Sequence, residues 1–161
     1  MLRIKKGDSW DYSPIRAKIR FDFRGDAGRQ SSFFGNLSFG NLPFGKNKPE
    51  EVAENIRQRR VAMLKNLPWQ GVSLEEIQAD QEIYTIPEAE QGERLAYAPV
   101  ELTVRADSLE DLLPFILREE FRKIKIIEPE EMVFSNFDME RAIYKMGQEF
   151  RSELNNEGNP F

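Results

Sequence analysis

No cysteine and no histidine occur among the 161 residues, and the two absences remove whole classes of chemistry. Without cysteine there is no disulfide, no thiolate nucleophile, no zinc finger and no cysteine-held iron–sulfur cluster. Without histidine, Ser-His-Asp and Cys-His activation and imidazole metal ligation are excluded. Catalysis would have to run on carboxylates, Lys, Tyr, Ser or Arg, and no constellation of these stands out. The expectation is therefore a non-enzymatic protein with no metal and no cofactor. Long apolar runs are also missing, since no segment approaches the roughly 20 residues of a membrane-spanning helix. The start MLRIKKGDSW lacks the apolar middle of a signal peptide. These features lead to the expectation of a soluble, cytoplasmic chain.

The length suits one domain over residues 1–161 with a core of its own. Charge is unevenly spread. Residues 1–48 hold ten Lys or Arg against four Asp, a net +6, while residues 49–161 hold thirteen against twenty-four acids, a net −11. A basic front and an acidic remainder suit internal pairing, self-complementary association, or an acidic partner for the front segment.

After an N-terminal arm, 1–14, the stretch Ile15 to Arg24 alternates strictly, with Ile15, Ala17, Ile19, Phe21 and Phe23 apolar between charged residues. That period of two predicts a half-buried strand. Residues 25–48 form a Phe/Gly/Asn-rich loop in which Phe34-Gly35-Asn36-Leu37, Phe39-Gly40-Asn41-Leu42 and Phe44-Gly45 recur every five residues. This period matches neither helix nor strand, so the segment reads as a loop carrying apolar anchors. Lys48-Pro49-Glu50-Glu51 opens a helix, with Pro at its first position and carboxylates in its first turn. Its expected apolar stripe is Val52, Ile56, Met63 and Leu67.

Val72 to Asp80 is ambiguous, because SLEEIQ resembles a capped helical turn but is short. Gln81 to Ile86 and Leu95 to Arg105 read as strands. Ser108 and Asp111 suggest a capping box before the apolar face Leu109, Leu112, Leu113, Ile116 and Leu117, with Pro114 kinking that helix or resetting its register. Phe121 to Glu128 reads as a strand. Residues 135–155 form a C-terminal amphipathic helix with the stripe Met139, Ile143, Met146, Phe150 and Leu154, followed by a tail, 156–161.

The element order is β-α-β-β-α-β plus a helix, the pattern of a ferredoxin-like sandwich with an antiparallel sheet and two helices on one face. In that arrangement the first and third strands are central, and Lys18, Arg20, Asp22 and Arg24 lie beside Glu101, Thr103 and Arg105 on the outer face. Phe21 and Phe23 share the buried parity of Ile19, so this face lacks the stacking aromatics of RNA-binding relatives of the architecture. Nucleic acid is accordingly an unlikely partner.

Two sets of residues are candidates for a working surface. Phe34, Leu37, Phe39, Leu42 and Phe44 in the loop, with Ile143, Met146 and Phe150 on the last helix, would anchor a protein partner or a second copy of the chain. The competing reading has the loop rings closing the chain's own core. Lys46, Lys48, Arg57, Arg59, Arg60 and Lys65 would instead hold a small anion or nucleic acid, or form a solvated helix face neutralised by Glu50, Glu51 and Glu54. The leading expectation is a protein–protein interaction or assembly role. The alternative is a regulatory domain binding an anionic ligand.

Overall fold

The computed structural model describes residues 2–6, 9–25, 48–66, 68–87 and 94–157. In chain order its elements are β1 (Leu2–Lys6), β2 (Ser9–Ser13), β3 (Ile15–Gly25), α1 (Pro49–Asn66), β4 (Val72–Gln78), β5 (Tyr84–Pro87) and β6 (Arg94–Ala106). A 3-10 turn (Glu110–Leu112), α2 (Leu113–Ile116), β7 (Phe121–Glu128), β8 (Met132–Val133) and α3 (Asn136–Glu157) follow. The fold is mixed α+β, with an antiparallel five-stranded sheet of order β4-β6-β3-β7 in which β5 also pairs with β6. A second, three-stranded sheet has the order β2-β1-β8. The arm expected at 1–14 thus contains two paired strands, which its short, mixed stretches did not announce.

The chain divides into two compact units, one of Met1–Phe21, Leu67–Gln78 and Glu101–Phe161, the other of Asp22–Asn66 and Ala79–Val100. In the first, alternate residues of β3 (Ile15, Ala17, Ile19 and Phe21) are buried, as are Leu102, Val104 and Ala106 of β6. β7 pairs with β3 in a register that sets Ile126 opposite Ala17, Ile124 opposite Ile19 and Phe121 opposite Phe21. Its apolar residues therefore share the buried side of the sheet. Leu112, Leu113 and Phe115 complete this core, and the Trp69 ring lies 4.6 Å from that of Phe115, with the Arg118 guanidinium 5.5 Å over it.

The ambiguous segment after Gly71 is a strand. β4 pairs with β6 from Val72↔Ala106 to Gln78↔Glu101, with a register shift between Leu74 and Glu76. Gly71 has a φ of 71°, and a Cβ there would lie 2.6 Å from the Asp111 carboxyl, so both backbone and space call for glycine. The helix expected from Ser108 is instead a 3-10 turn and a single α-helical turn. Pro114 sits at the start of α2, where its missing N–H costs no helical bond. Ser108 donates to Asp111 Oδ2 at 2.6 Å, but no side chain caps the 3-10 turn.

In the second unit α1 begins as expected, with Pro49 and the first-turn acids Glu50 and Glu51, and with Lys65 in its last turn. Its buried face differs from the apolar stripe. Ala53, Arg57 and Leu64 are turned inward, whereas Met63 is exposed and Val52 and Ile56 are half-buried; Leu67 is outside the described residues. The reason is a close approach between small residues. Ala53 packs with Ala96 and Ala98 of β6, and a Cβ on Gly25 would overlap the Pro49 carbonyl oxygen and the Ala53 nitrogen.

One turn further on, Arg57 is only 7% exposed. Its Nη1 donates to the Gln81 carbonyl at 2.7 Å and, less closely, to the Pro99 carbonyl at 3.4 Å, while Nη2 pairs with Glu54. A buried charge needs such partners. Pro99 itself lies inside β6 at a position paired with neither β4 nor β5, so its lack of an N–H breaks no ladder bond to either strand.

Two Gly→Ala substitutions therefore act in opposite directions. Gly25→Ala destabilises the protein by about 1–3 kcal/mol, because backbone atoms must move. Gly147→Ala, in the exposed interior of α3 where a Cβ meets nothing, stabilises it by about 0.5–1 kcal/mol. Urea denaturation midpoints of the two variants check both signs. Arg57→Ala lowers the midpoint as well, corresponding to a loss of about 2 kcal/mol, because the Gln81 and Pro99 carbonyls lose their donor and Glu54 its cation.

Candidate interaction surface

The last helix is started by its own sequence. The Ser135 hydroxyl accepts from the Asp138 amide at 3.1 Å, and Asp138 Oδ2 accepts from the Ser135 amide at 2.9 Å and from its hydroxyl at 2.7 Å. This reciprocal cap satisfies two amides at the helix entrance. The hydrogen bonds from Ser135 hold the Asp138 carboxyl below its ordinary value of 3.8, as expected for an anion at the positive end of a helix dipole.

α3 packs against the 3-10 turn and α2. Ala142 is buried, and Arg141 Nε pairs at 3.2 Å with Glu110, whose side chain is mostly covered. The Arg141 guanidinium also lies 5.7 Å over the Phe137 ring. Within the helix, Lys145 pairs with Glu149 at 3.2 Å and Gln148 donates to the Tyr144 hydroxyl.

This docking leaves the apolar stripe outside. Met139 is 42%, Ile143 63%, Met146 45% and Phe150 58% exposed. At 100° per residue these four positions fall within one narrow sector of the helix, roughly a quarter-turn away from Ala142. An apolar sector of this kind in contact with water marks an interaction surface. Gly147 flanks the stripe on the side away from the buried Ala142, and a Cβ there would meet nothing among the described residues.

Of the anchors read from the sequence, Ile143, Met146 and Phe150 are thus on one exposed face. Phe34, Leu37, Phe39, Leu42 and Phe44 lie outside the described residues, as does Lys46 of the basic set. The other basic residues take different directions. Lys48 precedes α1 and is exposed, Arg59 and Lys65 are exposed, Arg60 is half-buried, and Arg57 is turned inward onto its carbonyls. Around a helix Arg57, Arg59 and Lys65 point to different sides, so these cations do not converge on one position.

On the outer face of the sheet the charges pair across strands. Lys18 meets Glu101 at 2.9 Å, and Glu75 receives Arg16 Nε at 2.6 Å and Arg105 Nε at 3.0 Å. Hydrogen bonds from Arg16 and Arg105 depress the Glu75 carboxyl, and Glu75 and Glu101 raise Arg16 and Lys18 in turn. Glu75 had no place in this face from sequence alone, because it belongs to the segment read as ambiguous. Asp22 also departs from expectation. It is only 4% exposed and accepts from the Tyr84 hydroxyl at 2.6 Å, with Tyr84 stacked on Tyr97 at 5.4 Å.

Comparison with protein-family models, with curated proteins and with solved structures finds no match for this chain. Among the described residues no group of acidic side chains is arranged to hold a metal ion, and no helix is long and apolar enough to cross a membrane.

The Asp138 cap has a pH signature. A carboxyl depressed in the folded state contributes stability that is complete above its ordinary value and lost as pH falls through the folded one. Amide exchange at residues 136–139, followed by NMR, accelerates as pH drops below 3.8 beyond the intrinsic chemical trend. Ser135→Ala gives fast exchange already at neutral pH and removes most of that dependence.

Proposed function

We propose that the protein is a non-enzymatic interaction or assembly protein that associates through the exposed face of α3, with a second copy of the chain as its partner. The observation that carries this reading is the solvent exposure of Met139, Ile143, Met146 and Phe150 in a single sector. Their spacing of four, three and four residues is that of a helix–helix seam, in which apolar side chains of one helix fit between those of another. A seam of this kind is complementary to itself, as a two-fold dimer requires. Gly147 supports close approach beside the stripe, since a Cβ there would meet nothing among the described residues.

The ferredoxin-like reading of the fold draws support from the order β7-β3-β6-β4, in which the two strands expected to be central, β3 and β6, are neighbours at the middle of the sheet. A cytoplasmic location is part of the same proposal, and no cofactor or catalytic step belongs to it. The anion-binding alternative is less well served, since Arg57 is engaged internally and its neighbours diverge.

Light scattering across protein concentration tests the association. The expected outcome is a reversible dimer that becomes monomeric in Ile143→Ser with Met146→Ser and Phe150→Ser, with an unchanged circular dichroism spectrum because all three side chains are exposed within the single chain, and with loss of the concentration dependence of Tm that association confers. A wild type that stays monomeric at every concentration removes the second copy as partner. A wild type that dimerises as strongly with the three serines present moves the interface elsewhere.

A further inference from the structure

The β7 edge of the sheet carries two lysines that form no ion pair among the described residues. β7 pairs with β3 on one side and has no strand on its other side among the described residues. Its register puts Lys125 directly opposite Lys18 and Lys123 directly opposite Arg20. Like charges in that relation are destabilising. Lys18 is relieved by Glu101, Glu75 is held by Arg16 and Arg105, and Glu128 at the far end of β7 lies 3.9 Å from Arg16. Lys123 and Lys125 are both exposed, and neither forms an ion pair among the described residues. The chain has a net charge of −5, yet this edge is positive.

The other side of β7 is apolar and incompletely covered. Phe121, Ile124 and Ile126 are half-buried. A strand added beside β7 would thus meet cations on one face of the sheet and apolar side chains on the other. We propose that β7 is the docking edge for an extended acidic segment of a partner protein, which adds as a strand with carboxylates across from Lys123 and Lys125 and apolar side chains beside Ile124 and Ile126. Main-chain hydrogen bonds supply the affinity in this mode of recognition, and alternate side chains supply the selectivity.

Charge decides among occupants. The β7 of a second copy would bring lysine against lysine, so self-pairing at this edge is disfavoured. A single-stranded polynucleotide would find cations but no aromatic platform, because Phe21 of the adjoining strand is buried on the opposite face. Lysines also protect edge strands from aggregation, a role that requires no ligand and so predicts no binding. The proposal does not rest on association through α3.

Fluorescence anisotropy with the full chain tests it, using a labelled peptide that alternates Glu and Val over 8 residues, the length of β7. Saturable binding is expected, weakened roughly tenfold or more by Lys123→Glu with Lys125→Glu. The same peptide with methylated backbone amides keeps every charge but lacks the donors, and is expected not to bind. Circular dichroism confirms that the double variant is folded, and Lys123→Gln with Lys125→Gln gives an intermediate affinity. Absence of saturable binding overturns the proposal and leaves edge protection as the role of the lysines. Equal binding by the double variant, equal binding of the methylated peptide, or tighter binding of an oligothymidylate each overturns it as well.

Discussion

Six successive inward positions of β6, Ala96, Ala98, Val100, Leu102, Val104 and Ala106, are buried, and both β4 and β5 take their ladder bonds from this one strand. A strand so enclosed admits only certain neighbours. Where its inward residues are alanines, Ala53 of α1 packs closely, and Gly25 is needed beside the same helix. The carbonyl of Pro99 then becomes an acceptor for Arg57. A helix whose Val52 and Ile56 are half-buried is thus held by Ala53, Leu64 and one buried guanidinium, so its position depends on specific partners as well as on the area it buries.

The outer face obeys a different balance. Glu75, brought into place by the register shift in β4, joins cations from β3 and β6, and Glu101 joins Lys18. These pairs are exposed and screened by salt, so they contribute little individually. Their larger effect is on distribution. By using the acids on the β4 and β6 side, they leave positive charge at β7, and the sheet offers one edge with a distinct electrostatic character.

α3 adds an apolar surface to the same unit. Its amphipathic pattern would ordinarily imply burial within the chain, but of the contacts that seat it Ala142 lies roughly a quarter-turn from the stripe and the Arg141–Glu110 pair about half a turn from it. The helix is fixed by one side and presents another. Two chemically unlike surfaces, one apolar and helical, one cationic and extended, therefore arise from neighbouring stretches of chain, which accords with a protein whose work is association.

Much of this was legible in the residues. The alternation in Ile15 to Arg24 and around Val100 to Val104 produced β3 and β6, and the apolar spacing from Met139 to Phe150 placed α3. Period and capping are local properties, set by residues within a few positions of one another. The strand at Val72–Gln78 was obscured because SLEEIQ has helical composition, and pairing with β6 overrode it. The rotation of α1 was hidden because Arg57 finds its carbonyls at Gln81 and Pro99, far along the chain. What the sequence determined by itself is the strands β3, β6 and β7, the start of α1 and the amphipathic face of the last helix. What only the tertiary structure decided is the register that opposes Lys18 to Lys125 and the choice of which face of each helix turns inward, because both depend on groups many residues apart that meet only when the chain is folded.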